Sequence, residues 1–245
     1  MGLESFTFDG INSLDHNIFI AQRTVWNAPK RKVNMIEIPG KNGYVTIDEG
    51  AFENIQVTYS GKNIFHGKQA FMENIDFLRN EFCSRIGYKR LSDTYHPDEY
   101  RLAIYRSGLE VNAEFNNTAS QFDIVFDCKP QRWLTSGELP VKFTANGSIS
   151  NPTLYPAKPL IKVKGKGTLG ISDWILTIDG LTNQTLYIDC DTMEVYKNTG
   201  GIIEGANSLL TLNKNVFPEL VSGINNISIG SGITEVEITP NWWRI

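Results

Sequence analysis

Twenty-seven carboxylates, three histidines and three cysteines are spread along 245 residues, and their spacing decides which chemistry is open to them. The segment Gly165-Lys166-Gly167-Thr168-Leu169-Gly170 spells G-x-G-x-x-G after a candidate strand. Asp189 follows at about the 20-residue offset of a dinucleotide site. That site also needs a helix N-terminus to meet the pyrophosphate. Ile171 to Ile178 reads as strand instead, so the glycines are expected to form a hairpin turn. No G-x-x-x-x-G-K-S/T, H-E-x-x-H or G-x-S-x-G occurs.

His16, His66 and His96 stand in three different segments, none beside a cysteine. An acid/base or metal role for His96 would draw on Asp93, Asp98 and Glu99, but His96-Pro97 reads first as a solvated turn between strands. Asp189-Cys190-Asp191 puts two carboxylates on one face of an extended chain, where they could meet calcium. The spacing and glycine of a calcium loop are missing, and a solvated strand end is the expected role. Glycoside hydrolysis needs two carboxylates about 5–10 Å apart, and 27 acids single out no pair. The sequence therefore predicts no catalytic, cofactor or metal site.

Aromatic residues are the remaining candidates, because a flat ring can stack on the apolar face of a sugar. Trp174, Trp242 and Trp243 are carbohydrate or interface candidates, with core packing as the competing role. If Trp242 and Trp243 are extended, one is buried and the other is not. Four N-x-S/T sequons, at Asn116, Asn146, Asn183 and Asn226, are expected to be by-products of an Asn- and Thr-rich chain, since no secretion signal precedes them.

These residues must be positioned by a mostly β chain. Twenty-one Gly and ten Pro punctuate short runs of β-branched and aromatic residues. Strands are expected at Ser5–Phe8, Val33–Ile38, Tyr44–Ile47, Ile55–Tyr59, Arg101–Tyr105, Leu109–Ala113 and Phe122–Cys128. In the last, Phe122, Ile124 and Phe126 alternate with Asp123, Val125 and Asp127, which turns the Phe side to a core. His66–Arg85 breaks the pattern, with Phe71, Ile75, Leu78 and Phe82 on one helical face and Lys68, Glu73, Asp76, Arg79 and Glu81 solvated. The first half is thus an α+β domain, a β-sandwich or hairpin set with one amphipathic helix. Leu134–Thr153 reads as loop, and the boundary falls near residue 135. Beyond it, Leu160–Lys164, Trp174–Ile178, Thr185–Asp189, Met193–Lys197, Ser208–Leu212, Asn225–Ile229 and Thr234–Thr239 predict a β-sandwich. The domains are residues 1–134 and 135–245.

Charge limits the partners. The chain is −4 overall, with 15 basic and 17 acidic residues up to 134 and 8 and 10 after it, so neither part is a basic nucleic-acid arm. Cys83, Cys128 and Cys190 are 45 and 62 residues apart, which fits neither a disulfide framework nor a metal pair, and reduced buried thiols are expected. No apolar run reaches the roughly 18–20 residues of a membrane span, and MGLESFTFDG does not open like a signal peptide, so synthesis in a cytosol without membrane insertion is expected.

Several motifs in order give the chain a resemblance. Phe6-Thr7-Phe8-Asp9-Gly10-Ile11-Asn12-Ser13 is followed by Pro39-Gly40-Lys41-Asn42-Gly43 and Tyr44-Val45-Thr46-Ile47-Asp48. The single helix, the loop Ser92–Tyr100 and Phe126-Asp127-Cys128-Lys129-Pro130 come next. Phe217-Pro218-Glu219-Leu220, Gly223–Ile227 and Pro240-Asn241-Trp242-Trp243-Arg244 close the chain. This order resembles siphophage distal tail proteins, the hub components of the tail tip and baseplate. The turn residues Pro39, Gly40, Asn42 and Gly43 would make a tight hairpin in any fold.

The resemblance implies a mainly β protein whose N-terminal domain forms a hexameric ring and whose C-terminal domain is a galectin-like β-sandwich. It implies a structural role in the virion tail of a bacteriophage. The homohexamer would join the tail tube to the tail-associated protein or fibre and to peripheral receptor-binding or baseplate proteins, and DNA would pass its channel without specific binding. It implies no enzyme activity and no cofactor. The alternative is a carbohydrate-binding module that aids host adsorption, although a galectin-type site wants His, Asn and Arg beside its Trp, and residues 135–245 hold no His and only Arg244.

Overall fold

The computed structural model describes residues 3–23, 26–65, 67–114, 119–179 and 184–245. The expectations for His66, Asn116 and Asn183 lie outside these residues. The chain divides into two compact units, residues 1–132 with Ile245, and residues 133–244.

In the first unit the strands are β1 (Phe6–Phe8), β2 (Ile11–Asn12), β3 (Ile18–Arg23), β4 (Arg31–Glu37), β5 (Tyr44–Phe52), β6 (Ile55–Ile64), β7 (Lys89–Asp93), β8 (Glu99–Tyr105), β9 (Asn112–Glu114) and β10 (Ala119–Cys128). Seven of them form an antiparallel sheet in the order β2-β1-β7-β8-β10-β6-β3, and β9 runs beside β10. Phe122, Ile124 and Phe126 face the core as their alternation predicts. Phe126 lies opposite Val57 and Tyr105, and its ring packs 4.8 Å from Phe8 and 6.1 Å from Phe82. Phe82 comes from the helix α1 (Lys68–Ser84), whose buried side is Phe71, Ile75, Leu78 and Phe82. Arg85 follows the last turn in extended conformation and ties it down, bonding Glu81 at 2.7 Å and pairing with Asp9.

The second unit is a β-sandwich. After the short strand β11 (Arg132–Leu134), its strands are β12 (Val141–Phe143), β13 (Gly147–Asn151), β14 (Leu160–Gly165), β15 (Gly167–Ile171), β16 (Trp174–Ile178), β17 (Thr185–Asp189), β18 (Glu194–Thr199), β19 (Ile202–Gly205), β20 (Leu210–Leu212), β21 (Gly223–Ile229) and β22 (Ile233–Thr239). One sheet runs β12-β22-β14-β17-β18-β19 and the other β13-β21-β15-β16-β20. Both contribute to one core, with Ile161, Val163 and Ile188 from the first and Leu169, Ile171 and Leu176 from the second.

The structure corrects several expectations. Leu134–Thr153 is not loop: it holds the end of a strand at Arg132–Leu134, a 3-10 turn at Thr135–Glu138, and β12 and β13. These are edge strands held by β22 and β21; β12 is only three residues long and β13 is mostly polar, so neither shows an apolar alternation long enough to be recognised. The strand expected at Leu109–Ala113 starts only at Asn112. Ser208 and Leu209 belong to a 3-10 turn before β20. Ile171 to Ile178 is a hairpin, with Ile171 opposite Trp174 and Ser172 at φ +48° in the turn.

The G-x-G-x-x-G segment is not a hairpin turn either. β14 pairs with β17 and β22, whereas β15 pairs with β16 and β21, so Gly165–Gly167 carries the chain from one sheet to the other. Gly230–Gly232 makes the return crossing from β21 to β22 beside it. Lys166 N donates to Gly232 O at 3.1 Å and Gly230 N to Thr168 O at 2.8 Å. Each corner is built from glycine because the other leaves no room for side chains. Cys83 also departs from expectation: one residue beyond Phe82, it falls off the apolar stripe and is exposed, while Cys128 and Cys190 are buried.

Candidate assembly surface

β4 and β5 pair with each other and, among the described residues, with no other strand. Their register sets Asn34 opposite Ile47, Ile36 opposite Val45, Met35 opposite Thr46 and Glu37 opposite Tyr44. Strand alternation then sorts the side chains. One face is an aliphatic ridge of Ile36, Val45 and Ile47, and the other carries Val33, Met35, Tyr44 and Thr46. Their large apolar side chains are 37% to 62% exposed, so neither face lies on the core.

The tip is a turn from Ile38 to Lys41, closed by Lys41 N on Ile38 O at 3.0 Å. Pro39 presets its φ for the second position and Gly40 takes φ +78° at the third, the needs of a type II turn. Gly43 at φ +82° returns the chain into β5. At the base the register slips between Arg31 and Val33, opposite Gly50 at φ +69°. Arg31 Nε bonds Asp48 Oδ2 at 2.7 Å and its guanidinium lies 5.4 Å from the Phe52 ring centre. That bond, helped by the Gly50 amide, holds the Asp48 carboxyl below its ordinary value. The hairpin is therefore braced at both ends. A two-stranded ribbon alone is marginal in water, and apolar residues on both its faces are the mark of a surface that another molecule covers.

The other sequence candidates are scattered. Trp242 is in the sandwich core, and Trp243 stacks on Tyr155 at 4.5 Å while its Nε1 donates to Pro156 O at 3.0 Å. Trp174 is covered by the Lys214 ammonium, 4.3 Å from its ring centre. His16 stacks on Phe77 at 4.2 Å. His96 sits in the turn after β7, its Nδ1 3.4 Å from Asp93 Oδ1, and Tyr59 Oη donates to the other Asp93 oxygen at 2.6 Å. Glu99 is buried and lines the same small cavity as Asp93 and His96, with the half-buried Arg132 guanidinium 3.3 Å away. Asp189 Oδ1 accepts from the amides of Asp191 and Thr192, a turn at a strand end. Among the described residues no group of three His, Cys, Asp or Glu side chains could hold a metal ion, and no helix is long and apolar enough to cross a membrane.

No protein-family profile and no curated protein sequence matches the chain. Solved structures do. What is shared is the fold. It is similar over 100% of both chains, with TM-score 0.75 and 13% identity, to SPP1 Dit (gp 19.1), described as a paradigm of the hub adsorption apparatus in phages that infect Gram-positive bacteria. A chain of the phage p2 baseplate in its activated, strontium-bound conformation matches 100% of this chain over 99% of its own length, with TM-score 0.50 and 9% identity.

Proposed function

We propose that this protein is a structural component of a phage tail tip and assembles as a homohexameric ring. The observation that carries the reading is the free-standing β4–β5 hairpin, whose two apolar faces need cover that its own chain does not supply. In a ring, the aliphatic ridge of Ile36, Val45 and Ile47 packs on a different patch of the next copy, a heterologous contact that closes after six rotations. Likeness of fold along the full length of SPP1 Dit supports the choice of this assembly over others.

In this reading residues 1–134 form the ring and residues 135–245 a galectin-like sandwich that projects from it. One face of the ring meets the tail tube, the other meets the tail-associated protein or fibre, and receptor-binding proteins are held at the periphery. DNA passes through the centre, and a chain of net charge −4 suits a wall that must not grip phosphates. The protein is made in the host cytoplasm, resides at the virion tail tip and catalyses no reaction. Light scattering with negative-stain imaging tests this. A particle of about 165 kDa, six times the 27.5 kDa chain, with a central hole is expected. Monomers at every concentration with no six-fold particles would falsify it.

A further inference from the structure

The six-stranded sheet of the second unit carries one residue of every strand in a single transverse row. Lys142 lies opposite Glu237, Glu237 opposite Lys162, Lys162 opposite Tyr187, Tyr187 opposite Tyr196, and Tyr196 opposite Gly205. The row is on the outer face, because the sequence neighbours Ile161, Leu186, Val195 and Val236 fill the core.

Along the row each group covers the next. Lys142 Nζ and Lys162 Nζ flank the Glu237 carboxylate at 3.6 and 2.5 Å. The Lys162 ammonium lies 5.9 Å from the Tyr187 ring centre, and Tyr187 and Tyr196 are stacked, 5.1 Å apart and 7° from parallel. The sequence stops one step early. The outer face of the Tyr196 ring looks over Gly205, where an added Cβ would meet nothing within 4 Å. The slot beside that ring is open.

The strand beneath the slot is open as well. β19 is the last strand of its sheet, all four of its residues are exposed, and Ile202 and Ile203 are 68% and 67% accessible. Ala206 N donates to Val195 O at 2.7 Å, so antiparallel alternation turns the amides and carbonyls of Ile203 and Gly205 away from β18. No proline, lysine or bulge within β19 blunts this edge.

Charge selects the occupant. Glu194, two residues before Tyr196 on the same face, is exposed and lies opposite Asp189. Glu194 has no cationic partner among the described residues. At the other end of the row the same combination, a carboxylate beside a tyrosine face, is completed by Lys162.

We propose that β19 accepts an extended segment of a partner protein as a seventh strand, and that an arginine of this segment reaches across Gly205 to stack on Tyr196 beside Glu194. Backbone pairing supplies the affinity and the arginine the specificity. A planar guanidinium fits the slot better than an ammonium because it can lie flat on the ring while bonding a carboxylate. The site does not depend on the ring assembly proposed above, since all its residues belong to one sheet of one chain.

Fluorescence anisotropy with the full chain tests this, using the labelled peptide Thr-Val-Thr-Arg-Thr-Val-Thr and its citrulline twin, which keeps the shape and loses the charge. The arginine peptide is expected to bind about tenfold more tightly than the citrulline peptide. Tyr196→Ala, or Gly205→Val to fill the slot, is expected to erase that difference while Tyr196→Phe keeps it. Equal binding of the two peptides, no binding of either at millimolar concentration, or an arginine preference that survives in Gly205→Val would overturn the proposal. So would binding of a glucose oligosaccharide that Tyr196→Ala abolishes in the absence of any arginine preference.

Discussion

Gly165 lies so close to Gly232 that a Cβ on Gly165 would stand 2.1 Å from the Gly232 carbonyl oxygen. Gly165 also holds φ +101°, which L side chains rarely adopt. Gly165→Ala combines a clash with backbone and an unfavourable φ, and should destabilise the chain by about 3 kcal/mol or more. Gly205→Ala, with open space around its Cβ and no positive φ, should stay within about 0.5 kcal/mol of the parent. Urea unfolding of both variants checks the pair, and equal stabilities would show that the two corners do not constrain each other.

The corner also shows where reading from sequence stops. The glycines of Gly165–Gly170 announce a turn, but which strands flank it is decided by distant partners at Gly230–Gly232, and two sheet-switching corners look locally like two hairpins. By contrast, Phe122, Ile124 and Phe126, or Phe71, Ile75, Leu78 and Phe82, disclose their buried faces because burial itself imposes the period. Val33–Ile38 and Tyr44–Ile47 were legible as strands and illegible as a surface, since an apolar strand reads the same whether its own core or another molecule covers it. The Tyr187–Tyr196 pair was within reach: closing Thr185–Asp189 on Met193–Lys197 through the turn at Cys190 sets the two rings side by side.

Tyr105 is packed against Phe82 at 5.1 Å and Phe126 at 5.8 Å, and its hydroxyl has no hydrogen-bond partner among the described residues. Burial pushes its phenol up to about 12, with Cys83 nearby adding to the effect. An unpartnered buried hydroxyl costs stability, so Tyr105→Phe should raise it by about 1 kcal/mol. A loss of stability in chemical denaturation would mean that the hydroxyl is bonded after all.

Burial pushes the Cys190 thiol up, which keeps it protonated as well as inaccessible. Cys128 is equally enclosed, and Cys83 alone is exposed. Ellman's reagent should therefore titrate one thiol in the native chain and three in denaturant. Two or more fast-reacting thiols in the native state would contradict the packing of one of the two cores.

The Lys162–Glu237 bond gives the row on the outer sheet a pH signature. Bonding to Lys162 lowers the Glu237 carboxyl from its ordinary value of 4.5, and bonding to Glu237 raises Lys162 from 10.5. A lowered carboxyl contributes stability that is complete above its unfolded value and lost as pH falls through the folded one. A raised ammonium contributes stability that is complete below its unfolded value and lost as pH rises through the folded one. Glu237→Gln should therefore be less stable than the parent at pH 7, and the gap should close both below pH 4.5 and above pH 10.5. Thermal melts across this range measure it, and a gap independent of pH would assign the loss to packing.

The hairpin separates assembly from folding. Ile36, Val45 and Ile47 are exposed within one chain, so replacing all three with threonine removes little intramolecular burial and keeps strand propensity on a pleated surface. The melting temperature of the isolated chain should then change by no more than a few degrees. If the ridge seats on a neighbouring copy, however, each replacement strips a buried aliphatic group from every contact around the ring, about 1–2 kcal/mol apiece. Six contacts multiply that loss, and the expected product is a folded 27.5 kDa monomer in light scattering. A triple variant that still forms particles of the parent's size would remove the hairpin from the interface and leave the ring to be held by the edges of the large sheet of the first unit.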